Sequence, residues 1–477
     1  MSIGLIHQFV FFDRNDLSKS LSKRKPFGLQ KTNMLRFDFI PKASAASVSG
    51  SGAEYSEQLL GAKPKKKRQR IAGIDQDELV DPAVLADPDS CFCEFKGVQI
   101  HHKICDPESP SQGMFHDPTS SQTPYQIRKE SLPMILLHGF GASVFSWDRV
   151  MKPLAHFTGS KVLAFDRPAF GLTSRVNSSA YSSPASDDRK PLNPYSTMFS
   201  VLATLHFINF LTAKKAILVG HSAGSIVAVQ TYFEAPERVA ALVLVAPAII
   251  APRTAHKVAR GSQFRTDNEI QEEGSNSKIH GNPFIRLGNF LSEFSKLIAQ
   301  AIMRLVKGMV DMVNSLYKKA LSALLRSAVA VMLIRMVIDK FGIAAIRNSW
   351  YDANQITDNV LNGYTKPLRT KDWDRALVEY TAAMLTDSAS ESKPPLVKRL
   401  GDISCPVLIV TGDSDRLVPS WNSERLSRAI PGASLEIIKN CGHLPQEERV
   451  EEFVSIVEKF LERVFGGLEE QCLRAAT

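Results

Sequence analysis

The feature that most narrows what this chain can become is a short apolar run, Ala216–Val219, which ends in Gly220-His221-Ser222-Ala223-Gly224. A helix-compatible stretch, Ser225–Phe233, follows at once. A strand with no polar alternation is buried on both faces, which calls for a sheet covered by helices on either side. A residue carried through so tight a strand-to-helix turn takes strained backbone angles. Small residues must flank it, and its side chain projects above the sheet. Ser222 holds that position, and its hydroxyl is a candidate nucleophile.

The same strand signal recurs along the chain. Cys91–Phe95 and Val98–Ile104, joined at Lys96-Gly97, predict a hairpin. Leu132–Leu137 runs into His138-Gly139, and Val162–Phe165 into Asp166-Arg167-Pro168. Val239–Val245 closes at Pro247, and Pro406–Val410 and Leu435–Ile438 come much later. Helical patterns cover Met198–Leu211 and Glu448–Phe465. Apolar strands separated by helices predict an α/β fold with a mostly parallel central sheet and helices on both faces.

Between 251 and 400 this alternation stops, which predicts an inserted helical lid. Its centre carries Phe290, Phe294, Leu297, Leu305, Met309 and Met312 at helical spacing, with Lys296, Arg304, Lys307 and Lys318 off the stripe. Two readings of the stripe stand side by side: a cap that buries it on the sheet, or a surface that meets a membrane peripherally and admits lipid-like substrates. The expected organisation is a leader over 1–50, a basic linker over 51–90, the core over 91–250 and 401–465, the lid over 251–400 and a tail over 466–477.

A serine hydroxyl is a weak nucleophile and needs a base that is itself held by a third group. His443, in Asn440-Cys-Gly-His443-Leu-Pro, follows the last strand and lies at the carboxyl edge of the sheet, where open α/β sheets carry their sites. The acid is expected between Ser222 and His443. Gly412-Asp413-Ser414-Asp415 offers two aspartates, of which Asp415 is preferred to Asp413. An oxyanion needs donors, and the backbone N–H groups of Phe140, in His138-Gly139-Phe140-Gly141, and of Ala223 are placed to supply them.

With these pieces assembled, the chain resembles the α/β-hydrolase superfamily, in the lid-bearing branch shared by esterases, carbon–carbon bond hydrolases and epoxide hydrolases. The likeness covers roughly 130–250 and 400–465. It rests on Leu137–Ser143 with Trp147, Asp166–Gly171, Gly220–Gly224, Gly412–Pro419 and Gly442-His443. The resemblance implies Ser222, Asp415 and His443 as a catalytic triad and Phe140 with Ala223 as the oxyanion hole. It makes Asp166–Gly171 structural or pocket-lining. Epoxide hydrolases and haloalkane dehalogenases carry Asp at the elbow, so Ser222 argues for acyl transfer on a small-molecule or lipid-like carboxylic ester. The alternative is a non-hydrolytic ligand sensor or partner-binding protein on the same fold.

Composition adds limits. The formal charge is +9, but residues 1–50 alone carry eight Lys/Arg against three Asp/Glu, and Lys65–Arg70 follows. The basic excess therefore does not describe the core, and no nucleic-acid partner is expected. Residues 1–50 are basic and Ser-rich and end in small residues, which resembles a plastid leader. Chloroplast targeting is the expectation, with cytoplasm or nucleus as the alternatives. The six cysteines form no regular framework, and Cys91-Phe-Cys93 has no partner set at metal-ligand spacing. Neither cofactor nor metal is expected. No apolar run reaches the ~18 residues of a membrane-spanning helix.

Overall fold

The computed structural model of the protein describes residues 69–107, 132–176, 192–252, 300–386 without 301, 302, 306, 318 and 322, and 394–466. The leader, the Lys65–Arg68 part of the basic run, and Phe290, Phe294, Lys296, Leu297 and Lys318 of the lid pattern lie outside these residues.

Eight strands build the sheet: β1 (Cys91–Phe95), β2 (Val98–Cys105), β3 (Met134–Leu137), β4 (Val162–Phe165), β5 (Ala216–His221), β6 (Val239–Val245), β7 (Val407–Gly412) and β8 (Ser434–Ile438). Their spatial order is β8-β7-β6-β5-β3-β4-β2-β1. From β8 to β4 all neighbours are parallel, and β2 and β1 close that edge antiparallel. The β1–β2 turn places Lys96 and Gly97 at φ 49° and 78°, the left-handed pair that matches strand twist in a two-residue hairpin.

The helices are α1 (Asp148–Thr158), α2 (Thr197–Phe210), α3 (Ala223–Glu234), α4 (Met303–Leu325), α5 (Ala328–Ser349), α6 (Asp358–Thr365), α7 (Trp373–Thr386), α8 (Ser420–Ala429) and α9 (Val450–Leu461). Successive strand side chains point to opposite faces. In β3, Ile135 and Leu137 join the cluster of Phe207 on α2 and Val227 on α3, whereas Met134 and Leu136 join that of Leu154 on α1 and Phe453 on α9. Both faces of the strand are therefore apolar, which is why its sequence shows no alternation.

The closing helix starts later than the predicted Glu448–Phe465, and α9 runs on through a π-type turn over Glu462–Gly466. A single turn, Pro445–Glu448, precedes α9, and Arg449 between them lies at φ −132°, ψ 58°, off the helical region. In the inserted segment α7 buries Ala376 and Ala383 against Phe170 and Tyr195 of the core, and α5 packs along α7 with an Arg335–Asp374 ion pair at 3.3 Å. The segment before β1 also meets the insertion: Trp373 Nε1 donates to Gln76 Oε1 at 3.0 Å, and Val80 bridges Thr370.

Helix α4 behaves otherwise. Every described side chain from 303 to 317 is exposed, so Leu305, Met309 and Met312 are not buried on the sheet. Helices α4 and α5 meet at a bend of 62°, and no single helix among the described residues is long and apolar enough to cross a membrane.

Candidate active site

The candidate site is built along the carboxyl edge of the parallel strands. Ser222 stands between β5 and α3 at φ 50°, ψ −117°, a conformation that costs a non-glycine residue about 1–3 kcal/mol unless its surroundings enforce it. Here they do. Ser222 N donates to Val245 O on the neighbouring strand at 2.8 Å, and Ser222 O accepts from Ser225 N and Ala248 N at 3.1 and 3.2 Å. The flanking glycines answer to space: a Cβ at Gly220 would come within 2.7 Å of Gly224 O, and one at Gly224 would run into the Leu137 carbonyl.

His443 and Asp415 stand at the ends of β8 and β7. His443 Nδ1 pairs with Asp415 Oδ2 at 2.7 Å. The other carboxylate oxygen accepts Leu417 N and Val418 N at 2.8 and 2.9 Å. Both side chains are almost fully buried. Asp413 faces elsewhere and accepts from Ser414 Oγ at 2.9 Å. Of the two aspartates the geometry therefore brings Asp415 to the histidine. No hydrogen bond joins His443 to the Ser222 hydroxyl among the described residues, and in ligand-free sites this link is often long. His443 is also held through its backbone: its N–H donates to Ser349 O, the last residue of α5, at 2.7 Å, and its carbonyl accepts from His221 Nε2 at 2.9 Å.

Ala223 is the first residue of α3, so its N–H has no partner within the helix and lies at the positive end of the helix dipole. Phe140 follows Gly139, where a Cβ would sit 3.2 Å from Ser222 Cβ, so the loop passes directly over the serine. The Phe140 ring packs on Phe170 at 5.5 Å and on Tyr380 of α7 at 6.0 Å. The segments that carry both predicted oxyanion donors thus border Ser222.

Several neighbours of the site were assigned no role of their own by the sequence. Burial, helped by the Arg167 charge, pushes His138 down to about 3, so the ring is neutral. Its Nδ1 donates to Gly139 O at 2.7 Å while Nε2 accepts Arg167 N at 3.0 Å. Glu447 is buried and its carboxyl is pushed up to about 8 by desolvation. Tyr364 Oη on α6 donates to it at 2.5 Å. His138 meets Arg167, and Tyr364 meets Glu447, only through contacts remote in sequence, which no local pattern encodes.

A second serine–histidine–aspartate relay lies farther along the same edge, at the end of β4. Ser90 Oγ meets His101 Nε2 at 2.8 Å, and His101 Nδ1 meets Asp166 Oδ2 at 2.6 Å. Asp166 also accepts Val144 N and Leu172 N. Burial alone would raise its pKa, but the adjoining His101 outweighs that and holds it at about 2. Ser90 sits in a turn that accepts Asp87 N rather than at a strand-to-helix elbow, so this relay clasps β2 to the loop after β4. A cavity of about 670 Å³ beside it is lined by Lys103, Asp148, Asn362 and Lys366, and neither Ser222 nor His443 borders it. Among the described residues no group of three or more His, Cys, Asp or Glu could hold a metal ion.

Comparison with known proteins adds the following. A family model described as the alpha/beta hydrolase family matches residues 134–456. A 2-hydroxy-6-oxononadienedioate/2-hydroxy-6-oxononatrienedioate hydrolase of Klebsiella pneumoniae is 44% identical over 70 residues, 15% of this chain and 24% of that protein. A 2-hydroxy-6-oxo-6-phenylhexa-2,4-dienoate hydrolase of Comamonas testosteroni is 22% identical over 339 residues, 71% of this chain and 90% of that protein. A solved hydrolase of the latter name from Rhodococcus is 18% identical with a TM-score of 0.46, covering 78% of this chain and 99% of that one. The chain spans 24–37% of the length of the first curated relatives it matches.

Proposed function

The chain belongs to the alpha/beta hydrolase family, and from that premise we propose that it is a serine hydrolase that cleaves a lipid-like carboxylic ester through an acyl-enzyme. The observation that carries this reading is Ser222 at a positive φ between β5 and α3, on the same sheet edge as the His443–Asp415 pair. Ser222 Oγ attacks the ester carbonyl while His443 Nε2 takes its proton. Asp415 keeps Nδ1–H oriented and stabilises the imidazolium. The N–H groups of Phe140 and Ala223 receive the oxyanion. His443 returns the proton to the leaving alcohol, and a water activated in the same way releases the acid.

The lipid-like character rests on α4 and α5. Of the large apolar side chains exposed among the described residues, nine lie on α4 and six on α5, including Met303 at 72% and Leu305 at 66%. The span 303–349 carries eight Lys/Arg against two Asp. An apolar face rimmed by cations fits an anionic membrane surface. Because α5 ends at Ser349, whose carbonyl holds His443 N–H, a bilayer contact there would lie one helix away from the general base. Residues 1–50 are proposed to direct the chain to plastids; fused to a fluorescent reporter in plant cells they should place it there, and a purely nuclear signal would reject this.

A fluorophosphonate probe tests the chemistry. Labelling of Ser222, located by peptide mapping, together with turnover of acyl esters, is the expected result. A non-hydrolytic sensor on this fold would leave Ser222 unlabelled. The ester series should be run beside the 2-hydroxy-6-oxo-dienoates named for the relatives. Turnover of the dienoates alone would replace the ester reading.

A further inference from the structure

Arg167 is 2% exposed, yet among the described residues no carboxylate lies within 4.0 Å of it and its Nε has no hydrogen-bond partner. A buried cation without a counter-ion is costly and is retained where something else uses it. Its Nη2 donates to Gly139 O at 3.2 Å, and its guanidinium lies 5.3 Å from the Phe170 ring centroid and 5.8 Å from that of Tyr380 on α7.

The Gly139 carbonyl belongs to the same peptide unit as the Phe140 N–H. In a planar trans peptide the two point in opposite directions, so holding the oxygen on one side aims the hydrogen at the other. That oxygen is held twice, by Arg167 Nη2 and by the neutral His138 Nδ1–H at 2.7 Å. A charged donor at a carbonyl also polarises the peptide and strengthens its N–H as a donor. Gly139 stands directly against Ser222 and His221, so this peptide borders the reacting atoms.

We propose that Arg167 is a positioning residue for the oxyanion hole: it clamps and polarises the Gly139–Phe140 peptide from its carbonyl side, and its stacking on Tyr380 makes the inserted helix α7 part of that clamp. The inference rests on the serine-hydrolase reading. A lysine could supply the charge but not the planar fork that stacks on rings and bonds a carbonyl at once. The family likeness leaves Arg167 as part of a structural or pocket-lining stretch; the geometry assigns it to the step at which negative charge develops.

The test compares the full-length parent with Arg167→Met, Arg167→Lys and Tyr380→Leu. Three quantities are read: kcat per fluorophosphonate-titrated serine, KM, and affinity for a trifluoromethyl ketone that forms a tetrahedral adduct. Outright loss of an oxyanion donor costs ~10²–10³-fold, so weakening one should lower kcat by about 10–10²-fold in Arg167→Met. KM should stay within about threefold and ketone affinity should fall in step with kcat, as expected for an interaction made only in the transition state. Arg167→Lys and Tyr380→Leu should fall between parent and Arg167→Met, and they carry the test if the Met variant does not fold. A kcat per titrated serine within about twofold of the parent, or a loss confined to KM with ketone binding intact, overturns the proposal. If the parent's own Ser222 is not labelled, the hydrolase reading fails separately. Amide exchange at Phe140 then decides the clamp: faster exchange in Arg167→Met supports it, and unchanged exchange removes it.

Discussion

At the scale of single residues, the proposed chemistry depends on groups held by very few bonds. Ser222→Ala should abolish turnover without loss of fold, because the hydroxyl makes no hydrogen bond among the described residues and removing it opens almost no cavity. Retention of more than a tenth of parental kcat would remove Ser222 as nucleophile. Asp415→Asn should lower kcat by roughly 10⁴-fold by favouring the wrong His443 tautomer, whereas Asp413→Asn should change it little, since only Asp415 reaches His443. Measured side by side, equal losses would deny Asp415 its role. Gly224→Ala is expected to act through the fold instead. The new Cβ meets the Leu137 carbonyl, and backbone offers no flexible tip to yield, so denaturant unfolding should show a loss at the upper end of the ~1–3 kcal/mol typical of overpacking.

At the scale of elements, the helices between β6 and β7 are tied to the loop that carries His443 through protonation as well as packing. Glu447, in the single turn after His443, is pushed up to about 8 by burial and receives Tyr364 Oη from α6. An acid whose folded pKa is raised binds its proton more tightly in the native state. Its contribution is therefore complete below the ordinary value of 4.5 and is lost as pH climbs towards 8. Across that window the slope approaches ~1.4 kcal/mol per pH unit for one group. Glu447→Gln keeps an acceptor for Tyr364 and removes the charge, so denaturant titrations from pH 6 to 9 should show a flatter stability profile than the parent. Parallel profiles would mean that Glu447 does not titrate in this range.

At the scale of the whole molecule, the sheet hides its apolar side chains on both faces while α4 and α5 display theirs. If that display serves a bilayer, binding needs both apolar insertion and attraction to anionic headgroups. Each basic residue near such a surface is worth ~1 kcal/mol, so replacing Arg304, Lys307 and Lys319 together by Gln should weaken vesicle binding on the order of 10²-fold. Raised salt should mimic the loss by screening. Co-sedimentation with anionic and with neutral vesicles at low salt reads this directly, and a parent protein that stays in the supernatant with both would end the membrane proposal.

The sequence by itself determined what local chemistry can encode. Strands buried on both faces show as unbroken apolar runs, and the tight turn at 220–224 shows as glycines around a serine. Ser222, Asp415 and His443 were legible as candidates because each lies within five residues of a strand's carboxyl end. Element starts were less so: Arg449 interrupts the last helix just inside its predicted beginning, because periodicity reports which face is buried and not where the backbone bends. The tertiary structure showed that the preferred Asp415, and not Asp413, reaches His443, since two positions two residues apart in a turn differ in direction and not in composition. Only it brought Arg167 and His138 to one carbonyl and Tyr364 to Glu447, because these partners are remote in sequence or meet through the path of a loop. It alone, too, showed Leu305, Met309 and Met312 exposed rather than buried on the sheet: an amphipathic stripe looks the same in sequence in either case, because periodicity does not report what packs against it.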